Sequence, residues 1–426
     1  MIGILTTTFI LLGAIGQPLF IVILALAFVG FLAQGMPLSV IGIELNRLAD
    51  TTLLAAIPLF TFAGFLLSES QAANRLVRLS NAWFGWMPAG LAIISLGICA
   101  MFTAFTGASG ATIVALGALL YPALKKAGYP KNFSLGMVTS SGSLGLLLPP
   151  SIPLILYGVL VQQMNQGYNV TIEDLFIAGI LPTILMVFLI SLYSVFVSKH
   201  VQIETSNFSW KEGLAAIWEA KWELPLPLFV LGGIYSGYFA VSEAAAVIVF
   251  YTFIVEVLIY REISLKKLPK IVVDAMVMVG GIMIVLASAL ALSSYFVDAS
   301  IPSKLFEFIQ AHVDSKLMFL ILLNIFLLLL GVILDIFAAL VLVVPLILPV
   351  AVSYGVDPVH LGIIFLANMQ IGYLTPPVGM NLFIASFRFK EPVTVLYRAC
   401  LPYMGLLLVA LLLITYVPWL SLVFIR

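Results

Sequence analysis

Leu144-Gly145-Leu146-Leu147-Leu148-Pro149-Pro150-Ser151 is matched, 227 residues further along, by Ile371-Gly372-Tyr373-Leu374-Thr375-Pro376-Pro377-Val378. The ungapped register extends outward: Leu119 falls on Leu346, Pro122 on Pro349 and Gly128 on Gly355. Proline fixes φ and removes an amide donor, and glycine opens conformations barred to other residues. Coincidences at these two residue types therefore weigh more than aliphatic ones. The chain reads as two copies of one unit, each built around a Gly-x-x-x-Pro-Pro break.

Those breaks lie in a membrane. Of 426 residues, 63% are hydrophobic and 9% charged, with a mean hydropathy of +1.20. Soluble chains run nearer ~45–50% apolar and ~25% charged, so a water-soluble enzyme is excluded. The 19 basic residues balance the 19 acidic ones, and no Lys/Arg-rich stretch carries interleaved aromatics. That excludes a nucleic-acid partner. Cys99 and Cys400 sit far apart in apolar runs and read as small buried hydrophobes, with no disulfide framework or metal site. Met1 to Gly13 lacks a basic n-region and a small-residue cleavage site, so it is expected to remain as a helix.

Apolar segments fall at 2–14, 17–36, 53–69, 90–124, 133–161, 176–197, 225–239, 241–260, 271–297, 317–352, 359–386 and 399–424. Two of them are too long for one crossing. Leu91 to Leu124 runs 34 residues without a charge, and Leu317 to Val352 runs 36 with Asp335 alone. A helix of about 36 residues would span ~54 Å, against a hydrocarbon core of ~30 Å. Both runs break near the middle, at Phe105 to Gly110 and at Gly331 to Asp335. They read as re-entrant hairpins, whose non-helical tips are tolerated only where protein or a water-filled cavity surrounds them.

About ten transmembrane helices plus two re-entrant hairpins, with the N-terminus outside, place 15 of the 19 Lys and Arg residues on the cytoplasmic side. Arg47, Lys304, Lys316 and Arg426 remain outside, as the positive-inside rule prefers. The same orientation bases the first hairpin inside and the second outside, so the two units are inverted. The expected fold class is an all-α polytopic membrane protein. Residues 1–197 form a first inverted repeat with hairpin 90–126 and broken helix 132–161. A cytoplasmic interfacial connector covers 198–224. Residues 225–426 form the second repeat, with hairpin 317–353 and broken helix 358–386.

Inverted repeats place broken helices and hairpin tips near the bilayer midplane, where secondary transporters bind ions and substrates. A Pro-Pro pair frees carbonyls inside a helix, and with Ser and Thr hydroxyls these are hard oxygen ligands suited to Na⁺. We expect one ion at Ser109, Gly145, Leu148 and Ser151, and a second at Gly331, Gly372, Thr375 and Val378. Half-helix N-termini suit an anionic substrate group, and the expected contacts are Thr106, Gly107, Ser143, Asp335, Gln370 and Asn381. Each has a plainer reading: Ser, Thr and Gly also serve close helix packing, and Asp335 can simply cap a half-helix.

Arg47 reads as a headgroup contact or an external anion contact, and Glu256 and Asp274 as salt-bridging residues. His200, His312 and His360 have no metal spacing. Ser68 to Trp86 and Ser209 to Glu223 are amphipathic and aromatic-rich, fit to lie along the membrane plane or to brace a scaffold.

Gly107-Ala108-Ser109-Gly110-Ala111-Thr112, Leu148-Pro149-Pro150-Ser151, Ser242-Glu243-Ala244-Ala245-Ala246 and Gly372-Tyr373-Leu374-Thr375-Pro376-Pro377-Val378-Gly379-Met380-Asn381 resemble the large membrane subunit of tripartite ATP-independent periplasmic (TRAP) transporters. The resemblance covers nearly the whole chain. It implies a sodium-driven importer of organic acids, such as C4-dicarboxylates or sialic acids, in the bacterial inner membrane, working by an elevator movement. It also implies a periplasmic substrate-binding protein and a small four-helix membrane subunit. The chain opens directly on the first repeat, so that subunit is expected as a separate chain. The competing classes are an autonomous carrier of the same superfamily and an intramembrane enzyme. The spans hold no paired carboxylates and no His-Glu-x-x-His, which speaks against an enzyme.

Overall fold

The computed structural model describes residues 7, 17–49, 52–87, 89–164, 167–201 and 208–425. The segment expected to span at 2–14, the side chain of Arg47 and Arg426 lie outside the described residues. The described chain is helical: α1 (Leu19–Gln34), α2 (Ser39–Ala49), α3 (Ala56–Glu69), α4 (Ala72–Phe84), α5 (Gly90–Thr106), α6 (Ser109–Lys126), α7 (Lys131–Ser141), α8 (Ile152–Gln163), α9 (Ile172–Ser198), α10 (Trp210–Glu219), α11 (Pro225–Tyr235), α12 (Val241–Phe253), α13 (Leu268–Asp298), α14 (Ile301–Gln310), α15 (Lys316–Ile333), α16 (Ile336–Ser353), α17 (Pro358–Gly372), α18 (Met380–Phe389), α19 (Val393–Tyr416) and α20 (Trp419–Leu422). No strand occurs among the described residues. Seven helical stretches are long and apolar enough to cross a bilayer, and four shorter apolar helices accompany them.

Burial runs opposite to that of a two-layer soluble domain. The broken helices occupy the centre: α17 is buried from Val359 to Gly372, and α8 from Ile152 to Val161. Peripheral helices keep apolar faces exposed, as along Ile184, Phe188, Leu192 and Phe196 of α9. The four-residue spacing makes this one continuous stripe. A stripe of that size on an outer face is a lipid contact, not a water-facing surface. The chain is a multi-pass membrane protein.

The two long apolar runs each fold as a helix pair, α5–α6 turning at Gly107-Ala108 and α15–α16 at Leu334-Asp335. Gly107 takes a left-handed conformation (φ 64°) that its lack of Cβ permits. The second arm of each pair packs on the later half of the opposite broken helix, α6 on α18 and α16 on α8. Both Pro149-Pro150 and Pro376-Pro377 are cis.

The second break starts later than the sequence reading placed it. α17 continues through Asn368, Met369 and Gln370 and stops at Gly372. The reason is local: a proline obstructs the carbonyl four residues before it, so Pro376 acts on Gly372 and leaves the preceding turns intact. In the first break the helix stops at Ser141, a 3-10 turn covers Leu144–Leu147, and extended backbone follows at Leu148.

The two amphipathic stretches brace one another. α3 and α4 meet at a bend of 67°, and α4 packs on α10. Trp83 Nε1 donates to the Gly213 carbonyl at 3.1 Å.

Candidate functional site

A cavity of about 570 Å³ opens between the two hairpin ends. Ala108, Ser109 and Gly110 line it from the start of α6, and Asp335, Ile336 and Phe337 from the start of α16. Leu146 and Tyr373, one from each break, complete the wall. These residues form four pairs, each 227 positions apart. α13 closes one side with Met278, Gly281, Ile282 and Val285.

Each hairpin lies against a break through a glycine. A Cβ on Gly145 would sit 1.9 Å from the Ala100 carbonyl oxygen of α5, and one on Gly372 would sit 2.6 Å from the Gly331 backbone. Thr103 Oγ1 donates to the Gly142 carbonyl at 2.9 Å and lies 2.7 Å from Thr112 Oγ1, joining the first break to both hairpin arms.

Ser109, Gly107 and Asp335 line the cavity, and Asn381 adjoins it by accepting from Ser109 Oγ at 2.7 Å. Asp335 caps α16, its Oδ1 accepting from the amides of Phe337 and Ala338 at 2.8 and 2.9 Å. Gly331 and Val378 line a separate hollow of about 320 Å³ behind the second hairpin. The others lie off the cavity wall. Gly145 and Leu148 sit in the first break, where the Leu148 amide donates to the Gly145 carbonyl at 3.1 Å. Ser151 caps α8 by accepting from the Leu154 amide at 3.5 Å and donates to the Leu146 carbonyl. Thr106 Oγ1 donates to the Ala108 carbonyl at 3.5 Å and Ser143 Oγ to the Ser140 carbonyl at 3.3 Å. Thr375 Oγ1 donates to the Ile371 carbonyl at 3.0 Å, and Gly372 faces Gly331. Gln370 lies within α17, its Nε2 3.4 Å from Met186 Sδ of α9.

Tyr373 was not singled out by sequence reasoning, yet its hydroxyl accepts the Ile336 amide at 2.6 Å and ties the second break to the second hairpin. Its signal was its place one residue after the break glycine. A buried polar chain also went unread: Asn368 Nδ2 donates to Asn324 Oδ1 at 2.7 Å, and Asn324 Nδ2 to Thr415 Oγ1 at 3.2 Å. Away from the cavity, Arg75 is buried rather than interfacial. It pairs with Glu223, Glu256 and Glu262 and stacks on the Tyr260 ring at 4.0 Å. Glu223 precedes α11, and burial, outweighing the nearby Arg75, pushes its carboxyl above the ordinary value. Among the described residues, no group of three or more His, Cys, Asp or Glu side chains is arranged to hold a metal ion.

Apolar outer faces, interrupted central helices and a cavity walled by two hairpin ends define a polytopic helical membrane transporter. Solved structures agree on the fold: the Alcanivorax borkumensis YdaH transporter superposes with a TM-score of 0.62 over 90% of this chain and 87% of that one, at 16% identity. Residues 6–420 match the family described as "Tripartite ATP-independent periplasmic transporter, DctM component", and the chain belongs to that family. It is 35% identical over 398 residues to the C4-dicarboxylate TRAP transporter large permease protein DctM of Vibrio cholerae, covering 88% of this chain and 86% of that one. The ectoine/5-hydroxyectoine large permease UehC of Ruegeria pomeroyi is 32% identical over 405 residues, 94% of this chain and 93% of that one. The isethionate permease protein DctMQ of Oleidesulfovibrio alaskensis is 35% identical, over 87% of this chain but 57% of its own length. These relatives are named as transport proteins, and the chain is a transporter subunit, not an enzyme.

Proposed function

We propose that this chain is the transport subunit of a TRAP complex that imports an organic-acid anion, of the C4-dicarboxylate or sialic acid class, driven by a sodium gradient. One observation carries the reading. Two hairpin ends and two breaks, at positions 227 residues apart, meet around a single cavity, as a pair of inverted repeats would arrange them. The cavity supplies what an anion needs at the midplane, helix N-termini and backbone donors shielded from lipid. Carbonyls freed at Pro149-Pro150 and Pro376-Pro377 supply oxygens for Na⁺. The expected ligand groups are Ser109, Gly145, Leu148 and Ser151 for one ion, and Gly331, Gly372, Thr375 and Val378 for the other.

The hairpins, the broken helices and α19 form the moving body in this reading. The outer helices, with α4 and α10 braced across the cytoplasmic side, form the fixed frame of an elevator. A periplasmic binding protein delivers the acid, and a small membrane subunit completes the frame in the bacterial inner membrane. The longer isethionate relative, whose name joins M and Q, supports that partnership.

The test is uptake into proteoliposomes holding this chain and its small membrane partner, with labelled succinate or sialic acid, matched binding protein and an inward sodium gradient. Uptake that needs both sodium and one binding protein is expected. Sodium-driven uptake without any binding protein would replace the tripartite reading with an autonomous carrier.

A further inference from the structure

Two helix N-termini face the cavity, and their amides are treated differently. At α16 every amide of the first turn has a partner. Ile336 donates to the Tyr373 hydroxyl at 2.6 Å, Phe337 and Ala338 donate to Asp335 Oδ1, and Ala339 donates to the Asp335 carbonyl at 2.9 Å. At α6 the N-cap is Ala108, whose side chain can accept nothing. Thr112 reaches the Ala108 carbonyl at 3.4 Å, and no side chain caps the amides of Ser109, Gly110 and Ala111. The residues 227 positions before Asp335 and Tyr373 are Ala108 and Leu146, so the acceptors that close α16 are missing at α6.

A second, independent feature lies at the same place. Asn381 is 0% exposed. Its Oδ1 accepts from Ser109 Oγ, on the first residue of α6, while its Nδ2 has no partner. A buried amide donor left unmade costs as much as a lost hydrogen bond. An uncapped helix N-terminus with an idle donor beside it is a built receptor for an oxyanion. α16, satisfied from within and carrying the Asp335 carboxylate toward the cavity, is not.

We propose that the acidic group of the transported molecule, a carboxylate or sulfonate, docks at the α6 end of the cavity and not at the α16 end. Its oxygens take the first-turn amides of α6 together with Asn381 Nδ2. The inference rests on the transport reading above and gives it a polarity: the acidic end lies toward the first hairpin, and the rest of the molecule extends toward Tyr373 and Asp335.

The test is counterflow in proteoliposomes with the complete complex, using succinate or sialic acid, whichever the wild type exchanges. Asn381→Asp keeps the acceptor for Ser109 and replaces the idle donor with negative charge. We expect the half-saturating acid to rise about tenfold or more, with half-saturating sodium moving less than about threefold. Ala111→Pro removes one first-turn amide at a position where helices tolerate proline, after a permissive Gly110. It should raise half-saturating acid several-fold, and it carries the test alone if Asn381→Asp does not fold. The proposal is overturned if the folded variants keep acid half-saturation within about twofold. It is equally overturned if Asn381→Asp shifts sodium instead, because Asn381 would then be a cation ligand. A wild-type complex that exchanges neither acid would instead remove the transport reading beneath it.

Discussion

Arg75 and Arg78 stand one turn apart on α4, and their replacement should separate two kinds of ion pair. The Arg75 side chain is 4% exposed, and its partners Glu223 and Glu256 are 3% and 0% exposed. Arg78 is 45% exposed and faces Glu212 and Glu219 at 50% and 42%. Removing one member of a buried pair leaves an uncompensated charge and costs about 3–5 kcal/mol. Exposed pairs contribute about 0–1 kcal/mol. Arg75→Met strands two buried carboxylates and the partly exposed Glu262, so its loss should fall at about 4 kcal/mol or above. Arg78→Met should cost less than about 1 kcal/mol. The assay is equilibrium unfolding of the purified protein in mixed micelles by titrating a denaturing detergent. Glu256→Gln added to Arg75→Met should recover part of the loss, because one fewer charge lacks its counter-ion. Equal costs for the two arginines, or no recovery in the double variant, would refute the argument that burial sets the energy of this cluster.

Gly145→Ala should destabilise by about 3 kcal/mol, because its Cβ would lie 1.9 Å from a backbone oxygen, whereas Gly97→Ala, with nothing within 4 Å, should be neutral or stabilising in the same unfolding assay. The raised Glu223 carboxyl means the folded chain holds that proton more tightly than the unfolded chain does. Stability should therefore fall as pH rises from the ordinary value of 4.5 through the raised one. Glu223→Gln should flatten that slope, and an unchanged slope would move the titration elsewhere. Ser109→Ala and Thr375→Ala should each raise half-saturating sodium in transport by about fivefold to tenfold, and sodium dependence untouched in both would take these hydroxyls out of the ion sites.

What could be read from sequence divides along a physical line. Backbone features came through because each depends on a residue's own covalent geometry. Gly107 and Asp335 marked the turns of two helix pairs, and Pro149 and Pro376 marked the breaks. The break was misplaced toward Asn368 because polar side chains drew it there, while the proline acts only one turn back. Partnerships did not come through. Arg75 meets carboxylates 148, 181 and 187 positions away, and no local pattern encodes a pairing at such separation. Tyr373 and Asn381 were likewise legible as motif members, but their bonds to Ile336 and Ser109 were not.

The chemistry of the cavity lies in how the paired positions differ. Ala108 stands opposite Asp335, Leu146 opposite Tyr373, and Leu154 opposite Asn381. In each pair the later residue supplies a polar side chain where the earlier one has none. Two of these side chains close the α16 end, while the third, Asn381, reaches across to Ser109 at the α6 end. The second half of the chain thus caps its own helix and furnishes the other with a donor. A substrate with one acidic end meets two ends of similar shape and opposite disposition toward charge. A cavity symmetric in chemistry as well as in backbone would hold such a molecule equally well in either direction. These three pairs remove that degeneracy without altering the packing of the hairpins on the breaks.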